Sequence, residues 1–286
     1  MFLGRSTLDL LYQVAEFPRE DSKAMATRFL AQAGGPALNA AVTFAFLGGA
    51  AHLISAVGRA AGSEFVKAEL RRFGVLLSDI CDDEAFSLPV SSVVINAASG
   101  SRTIVNAPVL PRPEREGALP RTITSAPLLL TDGFYASECS GLLHGFHARG
   151  GEICLDGGSW KPDTNGLLPL VSIAICSERF RPPGIRSDEE TLDYLAARGV
   201  PSAAITRGAS AILGCERGRK FSIPIERVES VDTLAAGDIL HGAFCWYFLR
   251  GGNFEESLRS ASRVSTLSVQ FFGAREWMAH FDREAS

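Results

Sequence analysis

Val231-Asp232-Thr233-Leu234-Ala235-Ala236-Gly237-Asp238 forms a tight turn of small residues that opens an apolar helix running from Asp238 to about Leu249. N–H groups at a helix start have no partner within the helix, and the helix dipole adds partial positive charge there. Small side chains let a phosphate approach those N–H groups, so the turn is a candidate anion cradle. Asp238 sets a carboxylate beside that anion. An acid there repels the ligand unless it has a task, and the task that fits is accepting a proton from an attacking hydroxyl. The plainer reading is a helix cap.

A second stretch, Ala33-Gly34-Gly35-Pro36-Ala37-Leu38-Asn39, is a glycine–proline turn followed by helical spacing at Val42, Ala45, Phe46 and Gly49. Asn39 falls at the start of that helix with its amide toward the turn. An amide offers two donors and an acceptor, which suits vicinal hydroxyls. An ordinary Asn cap is the alternative here too.

Together the two stretches resemble the paired signatures of the ribokinase/PfkB carbohydrate kinase family. Gly34, Gly35 and Asn39 match its Gly-Gly…Asn turn and helix, and Asp232 to Asp238 match its Asp-Thr-x-Gly/Ala-Ala-Gly-Asp turn. Order and separation fit, and the likeness runs over nearly the whole chain. Ala235 stands where many members have Gly. The resemblance implies a three-layer α/β/α ribokinase-like fold, with a mostly parallel central sheet and a small β-sheet lid. It implies a single kinase domain over residues 1–286, with lid segments at about 10–33 and 87–108, and a homodimer formed through the lid.

The function so implied is ATP-dependent, Mg²⁺-requiring transfer of the γ-phosphoryl group to a primary hydroxyl of a small sugar. Asp238 is then the general base, with the N–H groups of Ala235, Ala236 and Gly237 at the γ-phosphate. Asp9, Gly34, Gly35 and Asn39 are assigned to the sugar hydroxyls, and a monovalent cation (K⁺) is implied near Asp232. Asp238 at a helix start is expected to have a pKa below the usual 3.9 or so. Such a weak base suffices for a loose transition state in which the nucleophile's proton leaves late.

Thr206-Arg207-Gly208 resembles the family's Thr-x-Gly nucleotide loop, with Thr206 and Gly208 at the phosphates and Arg207 adding charge. Ala211 replaces a customary Gly. The Asn-x-x-Glu motif that many members use for magnesium and phosphate reads Ser177-Glu178-Arg179-Phe180 here, which leaves Glu178 as a substitute. Ketohexokinase-like members lack that motif as well. Phe17 to Ser22 and Val94 to Ile104 look like that branch, with Arg102 either near the sugar or paired across a lid hairpin. Pro36 replaces an Asn of ketohexokinase, so a ketohexose loses one expected contact.

Composition sets the outer bounds. With 286 residues, 46% hydrophobic and 21% charged, the chain has the make-up of an ordinary globular protein. A net charge of −4 gives no basic footprint for nucleic acid. Phe29 to Gly58 carries no charged residue, but Gln32, Gly34-Gly35-Pro36, Asn39 and Gly48-Gly49 break it below the length of a membrane span. Six isolated cysteines, none in C-x-x-C, fit reduced thiols in a cytoplasm. His144 and His147 share a helix face but have no further ligand at metal spacing.

The elements that must position these residues alternate along the chain. Strands are expected at Met1–Gly4, Ala51–Val57, Pro127–Thr131, Glu152–Asp156, Val171–Cys176 and Ala203–Thr206. Helices are expected at Ser63–Phe73, Glu138–Arg149 and Asp188–Arg198, with a last one opening at Asn253 in a capping-box-like start. Such alternation predicts a largely parallel sheet covered on both faces. Asp9, Asp156, Thr206 and the turn before Asp238 should then lie at carboxyl ends of strands, where ligands bind. Ser91–Asn96 and Arg102–Asn106 suit a separate sheet. Neither a P-loop nor a G-x-G-x-x-G fingerprint is present. The alternatives are a nucleoside kinase, with Phe86, Phe134 and Tyr135 available to line a base pocket, and a catalytically silent sugar- or nucleotide-binding protein.

Overall fold

The computed structural model describes residues 1–81, 83, 86–107 and 126–282. Its strands are β1 (Phe2–Leu3), β2 (Thr7–Val14), β3 (Arg28–Gly34), β4 (His52–Ser55), β5 (Leu76–Asp79), β6 (Val90–Asn96), β7 (Arg102–Asn106), β8 (Leu128–Thr131), β9 (Glu152–Gly157), β10 (Ile173–Ser177), β11 (Ser202–Arg207), β12 (Ser210–Glu216) and β13 (Arg219–Ile223). The α-helices are α1 (Pro36–Phe46), α2 (Ser63–Arg72), α3 (Ser140–Ala148), α4 (Thr164–Leu167), α5 (Asp188–Ala197), α6 (Ala236–Leu249) and α7 (Phe254–Ser268).

Nine strands form one sheet in the order β13-β12-β11-β10-β9-β8-β1-β4-β5, parallel from β11 to β5. Alternate residues of its strands face opposite cores, as strand geometry requires. Phe2, Leu53, Leu128 and Leu130 join α1, α6 and α7 on one face; Leu3, Ile54, Leu129 and Ile153 join α3 and α5 on the other. This is the expected three-layer arrangement. The antiparallel edge formed by β12 and β13 is absent from the sequence reading. Arg217 (φ 46°) and Gly218 (φ 87°) form its two-residue turn in the left-handed region.

A second sheet of four strands, β3-β2-β6-β7, is the lid. Its bounds differ from the expected ones: β2 begins at Thr7, and β3 runs to Gly34, directly into α1. Asp9 therefore does not follow a central strand. It lies inside β2, opposite Gln32 and Ser91, because β1 is only two residues long and the chain leaves the main sheet at Gly4. Residue 108, the expected end of the second lid segment, lies outside the described residues. The inner face of the lid, Leu11, Val93 and Ile95, packs on Phe272 beyond α7.

Local signals match the helix starts. Asn253 accepts from Glu256 N at 2.9 Å, and a complete capping box closes α5 between Ser187 and Glu190. The strand order reverses between β1 and β8, since β4 and β5 extend one way and β9 to β11 the other. The crevice at that switch point is where an open α/β sheet binds ligands.

Candidate active site

Gly34, Gly35 and Pro36 join the lid to α1 at this crevice. A methyl group on Gly34 would collide with the Asp9 carboxylate, and one on Gly35, at φ 99°, would strike Arg5 O. Both positions need glycine for that reason. Pro36 occupies the first turn of α1 without an unsatisfied N–H. Asn39 is not a cap, because Gly35 fills that position. Asn39 is buried, its Nδ2 donates to Asp238 Oδ2 at 2.8 Å, and its Oδ1 has no protein partner.

Asp238 is not a cap either. α6 starts two residues earlier than expected, with Ala235 as N-cap at φ 59°, a left-handed conformation costly for a residue with a Cβ. The first regular helical bond runs from Ile239 N to Ala235 O at 2.8 Å. The N–H groups of Gly237 and Asp238 are left pointing out of the helix start. Ala236 N turns back on Thr233 O at 3.4 Å, which makes it a poorer anion donor than the sequence implies. Gly237 is exposed, and nothing lies within 4 Å of where its Cβ would be. That open space lies where the sequence leads one to expect the anion cradle.

The charge on Asp238 behaves opposite to the sequence expectation. Burial pushes its pKa up to about 7, and the neighbouring Asp156 carboxylate pushes the same way, against the Asn39 hydrogen bond and His241. Desolvation outweighs the helix dipole. Asp9 is buried, and its pKa is also raised by burial, partly offset by hydrogen bonds from Thr7 and Ser91. Thr7 Oγ1 donates to Asp9 Oδ1 at 2.6 Å. Asp9 thus lies against Gly34, Asn39 is bonded to Asp238, and the Asp9 charge acts on Asp238, which brings lid and helix residues side by side.

Asp232 ties the turn down. Its Oδ1 accepts from Leu234 N at 2.8 Å and its Oδ2 from Gly273 N at 2.9 Å. Arg102 pairs with Ile95 across its hairpin by register, while its side chain reaches from β7 to the hydroxyl of Thr233 in the same turn. Arg207 is engaged within its own hairpin. Its guanidinium donates to Ala211 O at 2.6 and 2.8 Å and lies 3.8 Å from Asp188. Thr206 Oγ1 donates to Cys176 O, while Gly208, at φ 57°, leaves open space above its backbone. Glu178 is exposed and contributes its backbone N–H to Thr206 O. Phe86 is buried in the core.

Three residues escaped the sequence reading. Asp132, after β8, accepts from Arg5 N, Ala37 N and Phe134 N, so one carboxylate anchors the exit of β1 and the start of α1. Burial pushes its pKa up to about 7. The run Leu-Leu-Leu-Thr-Asp-Gly was its only sequence signal. Arg275 holds Glu69 at 3.0 Å and Ala33 O at 3.0 Å, bracing the strand that ends in Gly34. His241, one turn into α6, is treated below. Beside the cradle, a groove of about 460 Å³ is lined by Pro224, Glu226, Val228, Ser262, Arg263 and Thr266. Ser265 Oγ donates to Ala236 O at 2.8 Å, which fixes that wall of α7 against the cradle.

Comparison with known proteins agrees with this geometry. The family described as "pfkB family carbohydrate kinase" matches residues 1–110 and 160–280. The chain is 23% identical to a deoxyribokinase of Salmonella typhi, over 93% of this chain and 91% of that protein. It is 23% identical to the ketohexokinase of Mus musculus, over 92% and 93%. A putative ribokinase from Agrobacterium tumefaciens superposes with a TM-score of 0.86 at 26% identity, covering 99% of this chain and 94% of that one. With the family model matched over most of its length, the chain belongs to the pfkB family of carbohydrate kinases.

Proposed function

We propose that this kinase transfers the γ-phosphoryl group of ATP to a primary hydroxyl of a small sugar, with Asp238 as general base. The observation that carries the proposal is the Asn39–Asp238 hydrogen bond, with Asp9 acting on the same carboxylate, beside the open space at Gly237. Asp9 and the free Oδ1 of Asn39 accept hydrogen bonds from sugar hydroxyls and orient the one that reacts. That hydroxyl oxygen forms a bond to the γ-phosphorus as the bond to the β–γ bridging oxygen breaks. The electron pair leaves on ADP, and the hydroxyl proton passes to Asp238. A carboxylate whose pKa stands near 7 is a better base than an ordinary one.

The nucleotide reading follows from the surroundings of the cradle. The groove between Pro224–Val228 and α7 accommodates the nucleoside, with Arg263 in its wall. The loop at Thr206 and Gly208 borders the phosphate path. Among the described residues no group of three or more His, Cys, Asp or Glu could hold a metal. Mg²⁺ enters as the counter-ion of the triphosphate, as is common for this ion. Asp232 keeps a lone pair on each oxygen beyond its two backbone bonds, and this is the place for the K⁺ that the resemblance implies.

The lid supplies the dimer part of the proposal. Phe29 and Val105, brought to the same outer face by the strand register, are exposed at 59% and 65%, an apolar pair on a small sheet. We assign that face to a second copy of the chain. Product NMR tests the reaction: phosphorus coupling to a CH₂ carbon is expected, and coupling to a ring CH carbon would overturn the primary-hydroxyl assignment. A nucleoside accepted in preference to every sugar would overturn the substrate class.

A further inference from the structure

Two buried titratable side chains, Asp156 and His241, act on Asp238. Asp156, in β9, is 6% exposed, and its Oδ2 receives no hydrogen bond. His241 is 4% exposed. Its Nδ1 lies 2.7 Å from Gly237 O, and its Nε2 lies 3.0 Å from Ile175 O on β10. Carbonyl oxygens only accept, so both contacts are hydrogen bonds when both ring nitrogens carry protons. The resulting cation faces Asp156 Oδ2 at 3.5 Å. A buried carboxylate without such a partner is expensive to keep ionised.

Place gives this pair its consequence. Gly237 belongs to the first turn of α6, whose outward N–H groups form the cradle, and Ile175 belongs to the central sheet. The imidazole is the side chain that joins them. We propose that His241 and Asp156 are positioning residues for phosphoryl transfer: the ring ties the cradle to the sheet, and the pair sets the charge against which Asp238 takes up its proton. The inference rests on the kinase reading of Asp238.

The groups that act on Asp238 come from several elements. They are Asn39 on α1, Asp9 on β2, Asp156 on β9, His241 on α6 itself, Arg102 on β7 and Arg275 beyond α7. Asp132, Cys154 and Cys176, on or after β8, β9 and β10, in turn feel the charge of Asp156. Of the inner pair, Asp156 opposes ionisation of Asp238 and His241 favours it. Removing each partner must therefore move Asp238 in opposite directions, which a merely structural role does not produce.

The test is a carboxyl ¹³C NMR titration of Asp238 in the full chain, assigned by loss of the signal in Asp238→Asn. Asp156→Asn is expected to lower the midpoint by about one unit, and His241→Asn to raise it by about as much, the low end for a neighbouring charge. The acid limb of kcat/KM should move with each midpoint. An unmoved midpoint in Asp156→Asn, or shifts of the same sign in both variants, would overturn the inference. Asp156→Asn is nearly isosteric, so it decides the matter even if His241→Asn fails to fold. The titration needs no turnover. Lack of ADP release from the wild type with every sugar would count against the kinase reading alone.

Discussion

Asn39 Nδ2 donates to Asp238 Oδ2 at 2.8 Å across 199 residues of sequence. One hydrogen bond thus joins the helix that follows the lid to the helix that carries the anion cradle. It sets the Asn39 amide and the Asp238 carboxylate in contact, and it leaves Asn39 Oδ1 buried without a protein partner, available to a sugar hydroxyl in the proposed reaction. Asn39→Ala should raise the sugar KM by about 10-fold, the value of one hydrogen bond to a charged group. ATP affinity should stay within a few-fold, and steady-state kinetics with each substrate varied in turn separates the two.

Gly34 makes the same point through sterics. An added methyl group must displace the Asp9 carboxylate. Gly34→Ala should therefore mimic loss of Asp9, with the sugar KM up by about 10- to 100-fold. A sugar KM unchanged in a folded Gly34→Ala protein would remove Asp9 from the pocket.

The raised pKa of Asp238 carries a stability cost with a definite sign. Its folded value is about 7, against about 3.9 in an unfolded chain. Between those values the folded state binds more protons than the unfolded one, so stability falls as pH rises through that window. Asp238→Asn should melt higher than the wild type at pH 8, and the difference should vanish near pH 4. Melting curves at the two pH values check this.

Catalysis has the reverse dependence. The base works only when ionised, so kcat/KM should fall about tenfold per unit below pH 7 and level off above pH 8. A profile flat from pH 5.5 to 8 would place the working pKa elsewhere.

For the lid, sedimentation should report twice the 30.6 kDa chain mass. Phe29→Glu with Val105→Glu should give the monomer while the melting temperature stays close to that of the wild type. A wild type that sediments as a monomer would refute the assigned interface.

The parts of this account legible in the sequence are those carried by local chemistry. The small residues from Asp232 to Asp238, the glycines before Pro36 and the alternation of strands and helices each follow from backbone sterics or periodicity. Asp9 is expected at the end of a central strand but lies inside β2, since nothing in the residues marks β1 as ending after two positions. Asp132, Asp156 and His241 were beyond reach as a working set, because only the order of β8, β9 and β10 in the sheet brings them together. The pKa of Asp238 was misjudged in direction for the same reason. Its helix dipole is visible in sequence, whereas its burial and the neighbouring Asp156 are tertiary facts. Arg207 looked free for phosphate until the hairpin of β12 supplied Ala211 O.

The most direct test of the central claim is ADP release from ATP and Mg²⁺, with and without sugar, in the wild type and in Asp238→Asn. The account predicts sugar-dependent release by the wild type and a kcat at least about 100-fold lower in the variant, the low end for a general base. Sugar binding, measured by calorimetry, should persist in both. Near-normal turnover in folded Asp238→Asn would contradict the account.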